Sequence, residues 1–227
     1  MARIINQDKT KIQKDRITDT AVKMFIKKGY EKTSLNDIIA KLGIAKGTFY
    51  HYFPSKEEML NYLINQMSED MLPEVEKIVA KSELDALTKL NKVVRVIKRY
   101  KITKRKLVKL LAKEMYREEN LVLRHKITEH TMGHYVPAFA QIIKQGKKEG
   151  VFHLSDPEET AELFMRLSIS LGDAIAPIML NQKLSIKNLK LFRSKVKVYK
   201  EAMRRILGMK QGDIDIYDEV SLKKILE

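Results

Sequence analysis

Residues 33–56 read TSLNDIIAKLGIAKGTFYHYFPSK, and the rest of the chain is organised around them. Thr33 and Ser34 both suit a helix N-cap, and Ser34 with Asp37 three residues on makes a capping box with the shorter acid. Leu35, Ile38, Ile39 and Leu42 fall at i, i+3, i+4 and i+7, so one helical face is apolar. Gly43 then ends the helix, because glycine takes the left-handed cap conformation without a Cβ penalty. Ile44 is an apolar plug after the turn. Residues 45–52 make barely two turns, too few to stand without tertiary support. Phe49 and Phe53, four apart, supply it by facing inward. Lys46, Gly47, Thr48, Tyr50, His51 and Tyr52 are left on or near the outer side. Ser55 and Glu58 form a second capping box, which starts a new helix at Lys56.

A helix, a glycine turn and a short second helix form a helix-turn-helix, the arrangement that offers its second helix to a DNA groove. The motifs Thr33-Ser34, Ile38-Ile39-Ala40, Gly43-Ile44, Lys46-Gly47-Thr48-Phe49-Tyr50 and Phe53-x-x-Lys56 resemble the DNA-binding domain of TetR-type transcriptional regulators. The resemblance reaches back through Phe25 and Gly29-Tyr30 and forward to about Leu63. Farther on it rests on helix layout and on Ile142-Ile143-x-x-Gly146-x-x-Glu149-Gly150-Val151-Phe152, which is similar to the end of the family's seventh helix.

The resemblance implies an all-α chain of about nine helices. A three-helix, homeodomain-like DNA-binding domain would span residues 10–70, with the helix-turn-helix at about 33–52. A larger helical bundle for ligand binding and dimerisation would span 71–212, and 213–227 would be a tail, poorly ordered or loosely docked. It further implies a homodimer on a pseudo-palindromic double-stranded operator, its two recognition helices about 34–36 Å apart or a multiple of that. Most such proteins are repressors released when a small-molecule effector enters the C-terminal domain. An activator of the same fold is the alternative within the class, and a low-specificity, nucleoid-style DNA-binding protein the alternative outside it.

The 227 residues suffice for one or two domains with a real core. There is no run of eighteen apolar residues, so no membrane span is expected. The N-terminus lacks the apolar core of a signal peptide, and Cys is absent; cytoplasm is the expected compartment. The net charge of +15 favours polyanions. Residues 1–60 carry 12 Lys/Arg against 7 Asp/Glu, so only +5 of the excess lies in the DNA-binding stretch. Residues 86–113 hold eleven Lys/Arg and no acid, read as a solvated basic face, an extra DNA contact or a seat for an anionic ligand.

Along the chain, Arg3 and Lys9 lie on a polar arm, and Thr10 with Gln13 makes a capping box for a first helix carrying Ile17, Ala21, Met24 and Phe25. The helix from Lys56 runs to about Leu72, where Pro73 is expected to kink or split it. That rod is the natural link between the two halves. Gly133 and Pro137 are expected to interrupt the helical pattern, with Pro137 in the first turn of a new helix. Residues 161–180 are apolar nearly all round, and 185–207 form a last long amphipathic helix.

The DNA-contact set is Thr33, Ser34, Lys46, Gly47, Thr48, Tyr50, His51, Tyr52 and Lys56. Hydroxyls and ammonium groups donate to phosphates, and Lys56 at a helix start can clamp one. Met67, Met71, Met115, Tyr116, Tyr135, Phe139, Phe164 and Met165 are candidate pocket liners, against plain core. The resemblance implies that the last two long helices pair with their copies across a two-fold axis, with Phe164, Leu171, Ala174, Ile175, Ile178, Leu189, Phe192, Val196 and Tyr199 as the interface. His125, His130 and His134 invite a metal reading, with His130 and His134 one turn apart, but no third ligand is evident and no metal is assigned. The chain carries no GxSxG, HExxH, phosphate-binding Gly loop or Rossmann fingerprint, so neither catalysis nor a cofactor is expected.

Overall fold

The computed structural model describes residues 2–180 and 185–226, and every regular element among them is helical. In order these are α1 (Ala2–Lys28), α2 (Leu35–Leu42), α3 (Lys46–Tyr52), α4 (Lys56–Val79), α5 (Ala86–Thr103), α6 (Arg105–Met115), a 3-10 turn (Glu118–Asn120), α7 (Leu121–Lys148), α8 (Pro157–Leu180), α9 (Ile186–Ile206) and α10 (Glu219–Leu226).

Two apolar cores organise the helices. The first gathers Ile17, Ala21 and Phe25 of α1 with Ile38, Phe49, Phe53 and Met59 to Ile64, and it takes in Leu111 of α6 and Leu123 and Ile127 of α7. The second is built by Leu90 and Val93 of α5, Phe139, Ile142 and Ile143 of α7, Phe164, Leu171 and Ile175 of α8, and Phe192 and Met203 of α9. Helix α4 serves both, with Leu60 and Leu63 in the first and Val75 and Ile78 in the second.

That double duty explains the first correction. Pro73 does not split the helix into two elements; α4 runs through it to Val79. An interior proline costs about 3 kcal/mol, and burial of Val75 and Ile78 just beyond it offsets that cost. The second correction is alike: α7 runs unbroken through Gly133 and Pro137. Met132, Tyr135, Ala138 and Phe139 flank both breakers and are all buried, so packing overrides local preference. Third, α1 begins at Ala2, so Thr10 lies inside the helix rather than capping it. The side chain of Arg3 lies outside the described residues.

The tail is the largest departure. Residues 213–226 are not loosely held: Ile214, Ile216 and Leu222 are buried in the second core, and α10 packs on α5 and α8. The sequence pattern of the tail is short and charge-rich, and its apolar residues become meaningful only against the groove that receives them.

Helix α8 contains an 18-residue window of mean hydropathy 1.5, enough by length and composition to cross a membrane. Its buried face packs against α7 and α9, as the core helix of a bundle does. Gly146 marks the close approach at the end of α7. A Cβ there would lie 2.1 Å from Phe152 Cδ2, and the Gly146 carbonyl accepts from the N–H groups of both Val151 and Phe152 at 3.0 Å.

Candidate nucleic-acid interface and effector cavity

The short helix α3 is held from beneath. Phe49 and Phe53 are essentially fully buried, their ring centroids 6.5 Å apart. Its supporting helix α2 is fixed at both ends. Ser34 Oγ accepts from Asp37 N–H at 3.1 Å while Asp37 Oδ2 accepts from Ser34 N–H at 2.9 Å. The Ser34 N–H and hydroxyl both donate to Asp37 Oδ2, the hydroxyl at 2.9 Å, and hold the Asp37 carboxyl below its usual pKa. At the other end Gly43, at φ +65°, donates its N–H to the Ile39 carbonyl. Seven residues of helix are thereby presented as a rigid ridge.

Lys46, Gly47, Thr48, Tyr50 and His51 are exposed on that ridge, and Tyr52 is half-buried with its ring edge-on to His51. The Lys46 ammonium sits 5.9 Å from the Tyr50 ring centroid. Open space surrounds the Cα of Gly47, so nothing in the chain itself demands glycine there.

Two members of the expected DNA-contact set are placed differently. Thr33 is fully buried and donates its hydroxyl to the Gly29 carbonyl at 2.8 Å, so it shapes the turn between α1 and α2. Lys56 folds back, donating to the Tyr30 carbonyl at 2.7 Å with its ammonium 4.0 Å from the Tyr30 ring centroid. Burial lowers its pKa, and burial with the nearby Glu114 and Glu31 pushes the Tyr30 phenol up to about 12. A phosphate would have to compete with these partners for Lys56. Ser34 is exposed, like Lys46, Gly47, Thr48, Tyr50 and His51.

A link between the two halves that sequence reasoning missed lies beside Lys56. Arg117 pairs with Glu31, at the turn before α2, and with the buried Glu114 of α6. Burial raises the Glu114 carboxyl despite Arg117. Glu31 and Arg117 lie 86 residues apart, so no local pattern signals the pair.

The expected pocket liners do not converge. Met67 and Met115 pack on the first core and Met71 on the second. Tyr135 donates its hydroxyl to the Ser68 carbonyl at 2.7 Å, and Tyr116 donates to Asp173 at 2.5 Å. Phe139, Phe164 and Met165 do meet, around a cavity of about 100 Å³ whose other walls include Val94, Ile97, Lys98, Lys101, Ile216 and Tyr217. A larger cleft of about 500 Å³ opens between α1, α4 and the α5–α6 junction, lined by Asp15, Asp19, Asp70, Tyr100 and Lys104 along with Met67.

Part of the basic face of residues 86–113 is engaged within the chain, Lys89 by the Val79 carbonyl and the Gln145 side chain. Arg95 and Lys98 pair with Asp215, Lys98 also with Asp218, Arg99 with Glu74, and Lys101 with the Tyr217 hydroxyl. Three of these eleven basic residues, Arg95, Lys98 and Lys101, thus form a seat for the acidic C-terminal segment. Among the described residues no three metal-ligating side chains cluster. The His130 and His134 rings lie 4.2 Å apart, tilted at 41°, with His134 Nδ1 2.8 Å from the His130 carbonyl.

The expected interface set also divides. Phe164, Leu171, Ile175, Ile178 and Phe192 are each 5% exposed or less, spent on the chain's own core, whereas Ala174, Leu189, Val196 and Tyr199 stay partly open. The outward apolar residues of α8 and α9 are instead Leu163, Ile186, Leu191 and Val198.

Residues 17–63 match the family described as bacterial regulatory proteins, tetR family, and residues 106–175 match the tetracyclin repressor-like C-terminal domain. Among curated proteins, the uncharacterized HTH-type transcriptional regulator YuxN of Bacillus subtilis is 49% identical over 49 residues, 22% of this chain and 17% of that protein. The fatty acid metabolism regulator protein of the same organism is 29% identical over 135 residues, 60% of this chain and 68% of that protein. The chain spans only 17% to 40% of the length of the first four curated relatives it matches. Among solved structures, Thermus thermophilus FadR, a TetR-family transcriptional repressor in complex with lauroyl-CoA, superposes with a TM-score of 0.59 at 18% identity, covering 88% of this chain and 97% of that one. At that identity the likeness speaks for the fold.

Proposed function

The chain belongs to the tetR family of bacterial regulatory proteins, and from that premise we propose that it is a sequence-specific DNA-binding transcriptional regulator, a repressor that leaves its operator when a small molecule binds its C-terminal half. The observation that carries the DNA-binding half is the ridge of α3. Two buried phenylalanines hold a seven-residue helix whose outer side shows a lysine, a threonine and a tyrosine. Lys46, Thr48 and Tyr50 are the proposed contacts to phosphates and base edges, with Ser34, His51 and Tyr52 flanking them and Gly47 letting the backbone approach. We place the DNA-binding unit at residues 10–70 and the effector and dimerisation unit at 71–212.

A dimer follows from the need to reach two half-sites of one operator. Its proposed surface is the exposed apolar stripe of α8 and α9, Leu163, Leu191 and Val198, with Ala174 between larger neighbours. An effector that binds better to a different spacing of the two heads draws the population away from the DNA-competent state. Two routes reach the heads, the continuous α4 and the Glu114–Arg117–Glu31 contact beside Lys56. A cytoplasmic, soluble setting accords with this role.

Selection from a randomised double-stranded DNA library tests the reading. A regulator should enrich a palindromic site and bind it at least about a thousandfold more tightly than bulk DNA at fixed salt. Binding that tracks salt alone and enriches no sequence would instead favour the nucleoid-style alternative. A reporter driven by the enriched site then separates repressor from activator by the sign of its response.

A further inference from the structure

We propose that the C-terminal segment, residues 213–226, is a built-in occupant of the effector site, and that the site takes an amphipathic monocarboxylate, an apolar body with an acidic head, in its place. This rests on the effector half of the function proposed above. The cavity beneath the segment is apolar on the side of Val94, Ile97, Phe139 and Phe164, and the segment covers it with Ile216 and Tyr217. Its volume of about 100 Å³ falls below the roughly 300–1,000 Å³ of ordinary ligand pockets. Withdrawal of Ile216 and Tyr217 is therefore what would make room.

Charge gives the site its chemistry. Lys98 is 9% exposed and stands at the edge of this apolar space. An ammonium held there needs an anion, because desolvation without a partner is costly. The segment provides it: Asp215 Oδ1 lies 2.5 Å from Lys98 Nζ, Asp218 3.5 Å, and the Ile216 carbonyl accepts at 3.3 Å. Lys101, also lining the cavity, donates to the Tyr217 hydroxyl. A carboxylate followed by Ile216 and Tyr217 reproduces within the chain the pattern of an acid on an apolar body.

The part a ligand would displace is the stretch from Asp215 to Tyr217, which lies between the buried anchors Ile214 and Leu222. Between α9 and α10, residues 211–218 adopt no regular helix. They are tied down by Asn91, which donates to the Asp213 carbonyl and accepts from Asp215 N–H, and by ion pairs on half-exposed partners such as Arg95 and Arg193. Pairs of that kind are screened by water and salt. A free carboxylate reaching Lys98 exchanges one salt bridge for another, and its apolar body replaces two side chains.

Calorimetric titration of full-length protein with octanoate, and with 1-octanol as the uncharged control, tests the proposal. Octanoate should bind the wild type and bind Asp215→Asn about tenfold more tightly, a gain of about 1.4 kcal/mol. Lys98→Gln should lose octanoate affinity while keeping that for 1-octanol. Hydrogen exchange of amides 213–222 should accelerate in the wild type on saturation with octanoate. Equal octanoate affinity in the wild type and Asp215→Asn overturns the competition, as does unchanged protection of the segment. Absence of octanoate binding in every protein overturns the acid-binding site itself. DNA binding is scored separately on the selected site. Its failure would sink the regulator reading and leave the competition result standing, and intact ligand-responsive DNA binding with a static segment would sink this proposal alone.

Discussion

Val198 and Leu191 test the assembly most directly. They are 60% and 46% exposed, seven residues apart on one face of α9. Full burial of such a side chain contributes about 1.5–3 kcal/mol, so covering the exposed half of each is worth about 1 kcal/mol. A two-fold axis repeats each contact, so the two residues together contribute about 4 kcal/mol, a thousandfold in dimer dissociation constant. Val198→Asp removes its share and places two like charges near the axis, so at micromolar concentration it should convert dimers to monomers. Val122, 67% exposed on α7, provides the control: Val122→Asp should leave assembly unchanged. Sedimentation velocity between about 0.5 and 50 μM would resolve both, in a range where a nanomolar-to-micromolar shift is visible. A wild type that is monomeric throughout, or a Val198→Asp dimer as tight as the wild type, refutes the reasoning. If Val122→Asp is the variant that falls apart, α7 carries the interface instead.

Three further outcomes are expected. Lys46→Ala should weaken binding to all DNA sequences and flatten the salt dependence by roughly one unit per half-site, whereas Lys56→Met, whose ammonium is already engaged by Tyr30, should leave the salt slope unchanged in filter-binding or anisotropy titrations. Gly146→Ala places a methyl group on the buried Phe152 ring and should destabilise the chain by about 1–3 kcal/mol despite alanine's better helix propensity, read as a lower urea midpoint. Burial works against the charge on Asp215 and Asp218, but Lys98 with Arg95 at Asp215, and Ser221 hydrogen bonds with Lys98 at Asp218, outweigh it and hold both carboxyls below the ordinary 3.8. The docking they stabilise should therefore be complete above that pH and lost as pH falls through the lowered folded values; protection of amides 213–222 that persists after both carboxyls are protonated would contradict this.

The helix-turn-helix was legible because its determinants are local. A cap, a four-residue apolar stripe, a glycine that must take positive φ and two phenylalanines one turn apart all act within twenty residues, and the structure uses each as read. The all-α class was legible for the same reason. Elsewhere local preference lost to packing. Pro73, Gly133 and Pro137 are helix breakers by intrinsic propensity, and the buried residues beside them outweigh it. The helical face of 161–180 announced that it would be buried but not by what. The fold spends Phe164, Leu171 and Ile175 inside one chain and leaves Leu163, Leu191 and Val198 outside. Charge behaved likewise. Eleven basic residues in 86–113 say that anions are wanted, yet only a three-dimensional fold brings Asp215 and Asp218 more than a hundred residues back onto Lys98. Lys56 turned to Tyr30 rather than outward because its ring and carbonyl stand within reach, across 26 residues. Short-range hydrogen bonds and periodicity are written in the order of residues, whereas the choice of partner for a long side chain or a charged tail depends on which surfaces the finished fold brings within a few ångströms.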